Sequence, residues 1–429
     1  MNLFWKMALL NLRRNRRRSL ATGSAIAAGF LGLSILGSYI YGLQMGMQAN
    51  MVYLNLQGHI QIHKKDSFAR FSITPKKYLL TPELDAQIDE ALKPLARDID
   101  FQGKFLTGSG LVISGTHSQP FLATGFDRET LRLAHDSPFV HQWGRMILSQ
   151  QGVSGDFGTA PDALSLTPRL AEILALPEGQ AGIGQPLQLA TTTFERDLNA
   201  AGAVLGGYHS TGIELAEDTS VRMSLPLLQN LLATDGYQWR SLFLHQGVDV
   251  HAFQKTLAAR FAAMGLPLET WRFDQEGLGD FYLGSINFLV VMGFFFVVLI
   301  CTMVALSIVN SLTLGILERT KELGTLKALG FSRAQIVGLF VREAVWLTAI
   351  SMIFGFALSL VVSVLVNTFD IRFHPPNIEG EIRLMLQPNA RLDILFCTCL
   401  LVIAAATAAL VSNKKLKASA VKLLSDAGV

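Results

Sequence analysis

Cysteine is nearly absent from this sequence. Its 429 residues include three, Cys301, Cys397 and Cys399, and all lie inside long apolar runs. The large polar region between 44 and 284 has none, so a disulfide framework is excluded there and stability must come from a packed core. Cys397 and Cys399 form a C-x-C, but residues two apart on a helix point to different sides. With no His or carboxylate near them inside the run, they do not make a metal site.

Catalytic and nucleotide motifs are missing as well. The chain has no G-x-x-x-x-G-K-[ST] loop to cradle phosphates, no H-E-x-x-H for zinc and no G-x-S-x-G elbow for a nucleophilic serine. His59 and His63 share one face of a predicted strand, without a third ligand, and read as polar side chains on a half-exposed face. His117, His135, His141, His209, His245, His251 and His374 are scattered without ligand spacing. No metal, cofactor or catalytic residue is therefore assigned. If ATP drives this chain, a partner binds the ATP and its Mg.

What is present is apolar. Half of the residues are hydrophobic, and the mean hydropathy is +0.36, high for a soluble protein. Four runs reach the roughly twenty residues needed to cross a bilayer as a helix, at 20–43, 286–314, 344–368 and 394–412. The net charge of +3 comes from clusters beside these runs, which points to membrane topology and not to nucleic acid. Arg13, Arg14, Arg16, Arg17 and Arg18 precede the first span. Arg319, Lys321, Lys327, Arg333 and Arg342 lie between the second and third, and Lys414, Lys415, Lys417 and Lys422 follow the fourth. The positive-inside rule places these three sites, and both termini, in the cytoplasm. The loop 369–393 mixes charges and suits the outer side. The first run is too long for a usual signal-peptide core and reads as an uncleaved anchor. Before it, within 1–19, Leu3, Phe4, Met7 and Leu10 have the spacing of a short interfacial helix.

The segment 44–285 is too long for a structureless loop and predicts a folded α+β domain inserted between spans one and two. Alternation at 58–63 and short runs at 111–114 and 120–123 predict strands. Helices are predicted at 81–96, 226–233 and 251–264, with turns at 152–161 and 177–186. In span one, Ala25-Gly29, Ala28-Gly32, Ser34-Ser38 and Gly42-Gly46 place small residues four apart, which permits close helix packing within one subunit or between two. The second span runs on without a breaker from 281 to 318, as a continuous stalk would.

The connection 315–343 is the most informative stretch. In it Leu323, Leu326 and Leu329 recur every third residue, with Arg319, Lys321, Glu322 and Lys327 around them, and predict a short amphipathic helix. Gly330 suits the position just past its end, and Ser332-Arg333-Ala334-Gln335 is a capping box opening the next helix. Glu318, Arg319, Glu322, Leu323, Gly324, Leu326, Lys327, Ala328, Leu329 and Gly330 resemble the E-R-x-x-E-[IL]-G-x-[LI]-[RK]-A-L-G signature of the FtsX-like permeases. The basic run 11–18, the stretch 204–212 with Asp218 and 223–225, and the tail 418–424 within 413–429 are similar to the same MacB-type ABC transporter family. The outer domain leans towards the LolC/LolE subgroup. The sequence departs from MacB itself in having no fused ATPase, and from ten-span members in having one set of spans.

The resemblance implies a non-catalytic permease subunit in a bacterial inner membrane, with a MacB-like outer domain. Its partners would be two copies of a separate ATPase, a second permease subunit, identical or homologous, and an outer or periplasmic protein. The helix carrying Glu318 to Gly330 would dock on the ATPase. Two tasks fit: extraction or export of a lipoprotein, lipid or amphipathic substrate, or mechanotransmission that regulates an outer partner without transport. A membrane-anchored enzyme is disfavoured by the absent motifs. Purified without its partner, the chain is expected to release no phosphate from ATP, and to support turnover only once an ATPase subunit is added. Robust phosphate release from the chain alone, with partner absent by mass spectrometry, contradicts this.

Overall fold

The computed structural model describes residues 16–144, 156–374 and 381–416. The interfacial helix expected before residue 16 and the terminal helix expected at 418–424 lie outside the described residues, as do residues 152–155 of the turn expected at 152–161. The chain divides into two compact units, one drawn from 1–43, 287–371 and 384–429, the other from 44–286 and 372–383.

The first unit is helical. Its elements are α1 (Arg16–Gln48), α2 (Asp280–Glu318), α3 (Thr320–Ala328), α4 (Arg333–Phe369) and α5 (Ala390–Lys415). Among the described residues, α1 with the π-helical turn Ala49–Leu54, α2, α4 and α5 are long and apolar enough to cross a membrane. Each extends past the apolar run that predicts it, because capping and polar end-turns continue a helix where hydropathy no longer marks it. Asn389 starts α5 by accepting the Arg391 N–H at 3.0 Å, and Ser332 starts α4 with the expected capping box. The helix α2 is unbroken over 39 residues, about 58 Å at 1.5 Å per residue.

Ile26, Phe30 and Leu33 of α1 meet Val304, Ile308 and Leu312 of α2, and Leu400, Ala404 and Ala408 of α5, in one buried cluster. The opposite faces expose Phe288, Phe294, Phe354, Val402 and Leu410. Such an exterior is stable only against lipid, where helices satisfy every backbone group internally. Small residues let the backbones close up. A Cβ on Gly29 would stand 3.1 Å from methyls of Ile300 and Val304, and one on Gly355 would stand 2.6 Å from the Ala27 carbonyl oxygen. Gly32 also faces Ile300, and Gly42 faces the Met385 carbonyl oxygen. Gly29, Gly32 and Gly42 therefore pack within their own subunit, and Gly46 is buried further along α1.

The second unit is built on strands β1 (Ile60–Lys64), β2 (Ile99–Ser114), β3 (His117–Phe126), β4 (Ala163–Leu166), β5 (Pro186–Thr192), β6 (Leu198–Tyr208), β7 (Ser220–Ser224), β8 (Trp239–Leu244) and β9 (Leu268–Arg272). Their order is β3-β7-β4-β6-β5-β2-β8-β1-β9, and β2 also pairs with β3, closing the first six into a ring. The long β2 thus serves two sheets, pairing with β8 through its first half and with β3 and β5 through its second. The short strands expected at 111–114 and 120–123 are the facing ends of the β2–β3 hairpin. Glycine permits the crossing: a Cβ on Gly110 would stand 2.3 Å from the Ala190 carbonyl oxygen. The expected helices form at Pro82–Leu92, Leu225–Leu232 and Val250–Ala263. Leu80, Leu106, Val112, Leu164, Leu205, Met223, Leu228 and Leu257 are among the side chains of the main core.

His59 and His63 correct the expectation of a half-exposed strand face. Both are buried, because β1 is an inner strand held between β8 and β9. His59 Nδ1 accepts the Leu244 N–H at 3.0 Å, and His63 stacks on Trp239. Burial lowers their pKa values from 6.5 to about 4 for His59 and about 3 for His63. The fold therefore refuses protons that the unfolded chain takes up below pH 6.5. The stabilisation is complete above that pH and declines as pH falls towards 4, by roughly 3 kcal/mol for each ring at 1.36 kcal/mol per unit. Amide-exchange protection of β1, corrected for intrinsic rates, is expected to fall over this window and to fall less in His63→Phe. Protection that does not change between pH 7 and 4 contradicts the assignment.

Candidate functional site

The site lies where α2 ends and α4 begins. After Glu318 the backbone leaves helical geometry at Arg319, with φ −108° and ψ 19°, and α3 restarts at Thr320. The far end of α3 closes as a Schellman motif: the Phe331 N–H reaches the Leu326 carbonyl at 3.1 Å and the Gly330 N–H reaches that of Lys327 at 3.1 Å. Gly330 supplies the positive φ of 88° that this turn requires.

Both ends of α3 are tied into the helical unit. The buried carboxylate of Glu343 on α4 faces two guanidiniums, Arg18 of α1 at 3.8 Å and Arg319 at 3.5 Å. Arg18 also pairs with Glu318 at 3.1 Å, and Arg319 with Glu322 at 2.9 Å. The Arg319 guanidinium lies over the Phe340 ring, 5.9 Å from its centre. At the other end, Lys327 Nζ donates to the Leu416 carbonyl oxygen at 3.1 Å, where a cation complements the negative end of α5.

The three leucines do not act as one stripe, which corrects the sequence expectation. Leu323 is fully buried in the chain's own helical cluster, Leu326 is partly buried against it, and Leu329 is 72% exposed. The reason is geometric. Three residues advance about 300° around a helix, so side chains at every third position drift about 60° per step and six residues turn the face by about 120°. The exposed face of α3 is instead Lys321, Thr325, Ala328 and Leu329, spaced four, three and one apart.

Sequence reasoning treated Arg18 only as a topology charge and missed Glu343, Phe340 and Gly355. A signal for Glu343 was present: a carboxylate opening a long apolar run is expensive unless it is paired.

A second polar cluster lies in the strand unit. His209 is fully buried between Ser165 Oγ at 3.0 Å and Ser220 Oγ at 2.9 Å. It joins β4 to β7 and has no route to a substrate, so it acts as a core hydrogen-bonding centre. Close by, Glu217 accepts from Ser210 Oγ at 3.0 Å, the Thr211 N–H at 2.6 Å and the Gly212 N–H at 3.2 Å. This shapes the turn that the sequence compared with the MacB-like core.

Residues 294–419 match the FtsX-like permease C-terminal family. The chain carries an FtsX-like permease domain. That domain holds α3, Glu343 and most of α2, and all of α4 and α5. The chain is also 34% identical over 95 residues to the ABC transporter permease YtrF of Bacillus subtilis (strain 168), a match covering 22% of this chain and 21% of that protein. It thus spans about a fifth of that relative's length. Among solved structures, the periplasmic region of MacB from Actinobacillus actinomycetemcomitans aligns at 9% identity and a TM-score of 0.32, over 50% of this chain and 88% of that one. The extracellular domain of the noncanonic ABC-type transporter YknZ from Gram-positive bacteria aligns at 12% identity and a TM-score of 0.31, over 50% and 99%.

The ion pairs around Glu343 predict unequal costs in the permease domain. Glu343→Ala removes the buried partner of Arg18 and Arg319, leaving them Glu318 and Glu322 alone, and is expected to cost about 1.5–3 kcal/mol of stability. Glu322→Ala removes a more exposed partner and is expected to cost under about 1 kcal/mol. Thermal unfolding of the purified variants in detergent checks the order. Equal melting temperatures for the two variants contradict it.

Proposed function

We propose that this chain is the membrane subunit of an ABC transporter, coupling ATP hydrolysis in a separate ATPase to movement of its strand-built domain. The observation that carries the reading is the two-sided character of α3. One side is fixed to the helical unit by Leu323, by Arg319 on Glu343 and by Lys327 on the end of α5. The other side presents Lys321, Thr325, Ala328 and Leu329 to a partner. A short helix held this way receives a push on its outer face and passes it to α1, α2, α4 and α5, because packed helices shift as bodies. In this reading α3 faces the cytoplasm, where the basic clusters are retained, the two termini are cytoplasmic and the strand unit lies outside the inner membrane. Two permease subunits, identical or homologous, pair over two ATPase subunits. The chain itself performs no chemistry.

Extraction or export of a lipoprotein, lipid or amphipathic substrate is the preferred task. The strand unit supports it with a groove of about 960 Å³ lined by Phe71, Ile73, Leu122 and Phe194 and by Lys77 and Arg196. A lining that combines apolar side chains with cations fits a molecule that has both an acyl part and an anionic head.

Docking is tested on the outer face of α3 alone. Leu329→Asp is expected to reduce copurification of the ATPase by about 5- to 150-fold, the loss of an interface contact worth roughly 1–3 kcal/mol, while leaving the melting temperature of the chain unchanged. Leu323→Ala is expected to lower that melting temperature, since it opens a cavity in the chain's own core. Wild-type copurification with Leu329→Asp overturns the docking face.

A further inference from the structure

The helical unit holds a pair of side chains that neither the spans nor the site at α3 accounts for. Cysteine occurs three times in the chain, and Cys399 does not pair with its neighbour in sequence, Cys397. It meets Cys301 of α2, 98 positions away, with the two Sγ atoms 4.0 Å apart. Helix geometry sets the choice. Two residues advance about 200° around α5, so Cys397 and Cys399 leave it in nearly opposite directions and Cys399 is the one that reaches α2. Both thiols of the pair are free and half-buried, and both lie inside apolar runs, so their open sides face lipid.

The contact joins two helices that packing holds loosely. Helix α5 runs closely along α4, whereas its approach to α2 is confined to a few residues. As a hydrogen bond the thiol pair adds little, because S–H is a weak donor and sulfur a weak acceptor. As a potential covalent link it adds much more. The sulfurs of a disulfide stand about 2 Å apart, and the two atoms already touch, so rotation of the side chains supplies the remaining approach. Helix α2 is unbroken over 39 residues and runs on to the start of α3. One bond at Cys301 therefore fastens that whole helix to α5.

We propose that Cys301 and Cys399 form a redox clasp between α2 and α5, closed by a lipid hydroperoxide and opened by a thiol reductant. The oxidant belongs to the same apolar phase as the two thiols. One sulfur attacks the outer peroxide oxygen, the O–O bond breaks, and the lipid leaves as an alcohol carrying the thiol proton. That sulfur is then a sulfenic acid. The second sulfur attacks it, the S–O bond breaks, and water leaves with the second thiol proton. The sulfurs together lose two electrons and the peroxide gains them. A thiol reductant reverses the bond by exchange through a mixed disulfide, which returns both cysteines as thiols and leaves the reductant as its own disulfide. Formation of the clasp is independent of α3. Its consequence, that α2 no longer moves against α5, rests on the coupling role proposed above.

The test exposes the full chain in phospholipid vesicles to linoleic acid hydroperoxide, blocks the remaining thiols with N-ethylmaleimide and reads the digested protein by mass spectrometry. The expected product is a pair of peptides joined between Cys301 and Cys399 and separated by a reductant. Cys397→Ser is expected to give the same product and Cys301→Ser to give none. In vesicles assembled with the ATPase, oxidation is expected to remove most of the ATP turnover, reduction to restore it, and Cys301→Ser to keep it throughout. Thiols that all remain open to N-ethylmaleimide, or that oxidise to sulfinic acid without the link, overturn the clasp. A link that forms and leaves turnover unchanged overturns its effect on coupling. Turnover absent before any oxidation counts against the coupling role of α3, and the clasp is then decided by the peptide masses alone.

Discussion

A carboxylate enclosed by apolar helices stays charged only if cations are brought to it, and Glu343 has two. Arg18 arrives from the first helix and Arg319 from the break between the second helix and α3. Each oxygen of Glu343 meets a different guanidinium. The pairing therefore fixes two separate segments of chain to one point on α4, and the position of α3 depends on it. Replacing such a group with well-packed apolar atoms need not cost stability; what the ion pairs add is direction. An apolar contact can slide, whereas a carboxylate between two guanidiniums defines where α3 lies and which of its faces is left outward.

The two ends of the short helix are treated alike. Phe331 and Gly330 close its backbone, Lys327 reaches the end of α5, and Leu323 fills the helical core. A segment that hydropathy alone marks as a polar connection is thus as firmly held as the spans beside it. The strand unit is stabilised differently, through a long strand shared by two sheets and through buried polar centres at His59, His63 and His209 that lock neighbouring strands together.

The spans were legible because length and hydropathy are sufficient signals for a membrane helix. Gly330 and Ser332 were legible as well, since each requires a particular backbone geometry. The stripe of leucines was misread because a repeat of three is not the helix period, so Leu323 turned inward and Leu329 outward. The long β2 was visible only as its last four residues. Gly103, Gly108 and Gly110 interrupt its alternation, and they are there because another backbone or side chain comes close. The burial of His59 and His63 could not be read from β1 alone, since it follows from β8 and β9 lying on either side, far away in sequence. Glu343 was visible as an acid at the edge of an apolar run, but its partners on Arg18 and Arg319 are 24 or more residues distant and only the packing brings them together.

The outer face of α3 as the contact with an ATPase is the central claim, and a photo-crosslinking amino acid at Ala328 measures it most directly. In native membranes containing the assembled transporter, illumination is expected to join this position to a nucleotide-binding chain, while the same group at the exposed Ser118 of the strand unit gives no such adduct. An ATPase adduct at position 118 with none at 328 would contradict both the docking face and the orientation of the chain in the membrane.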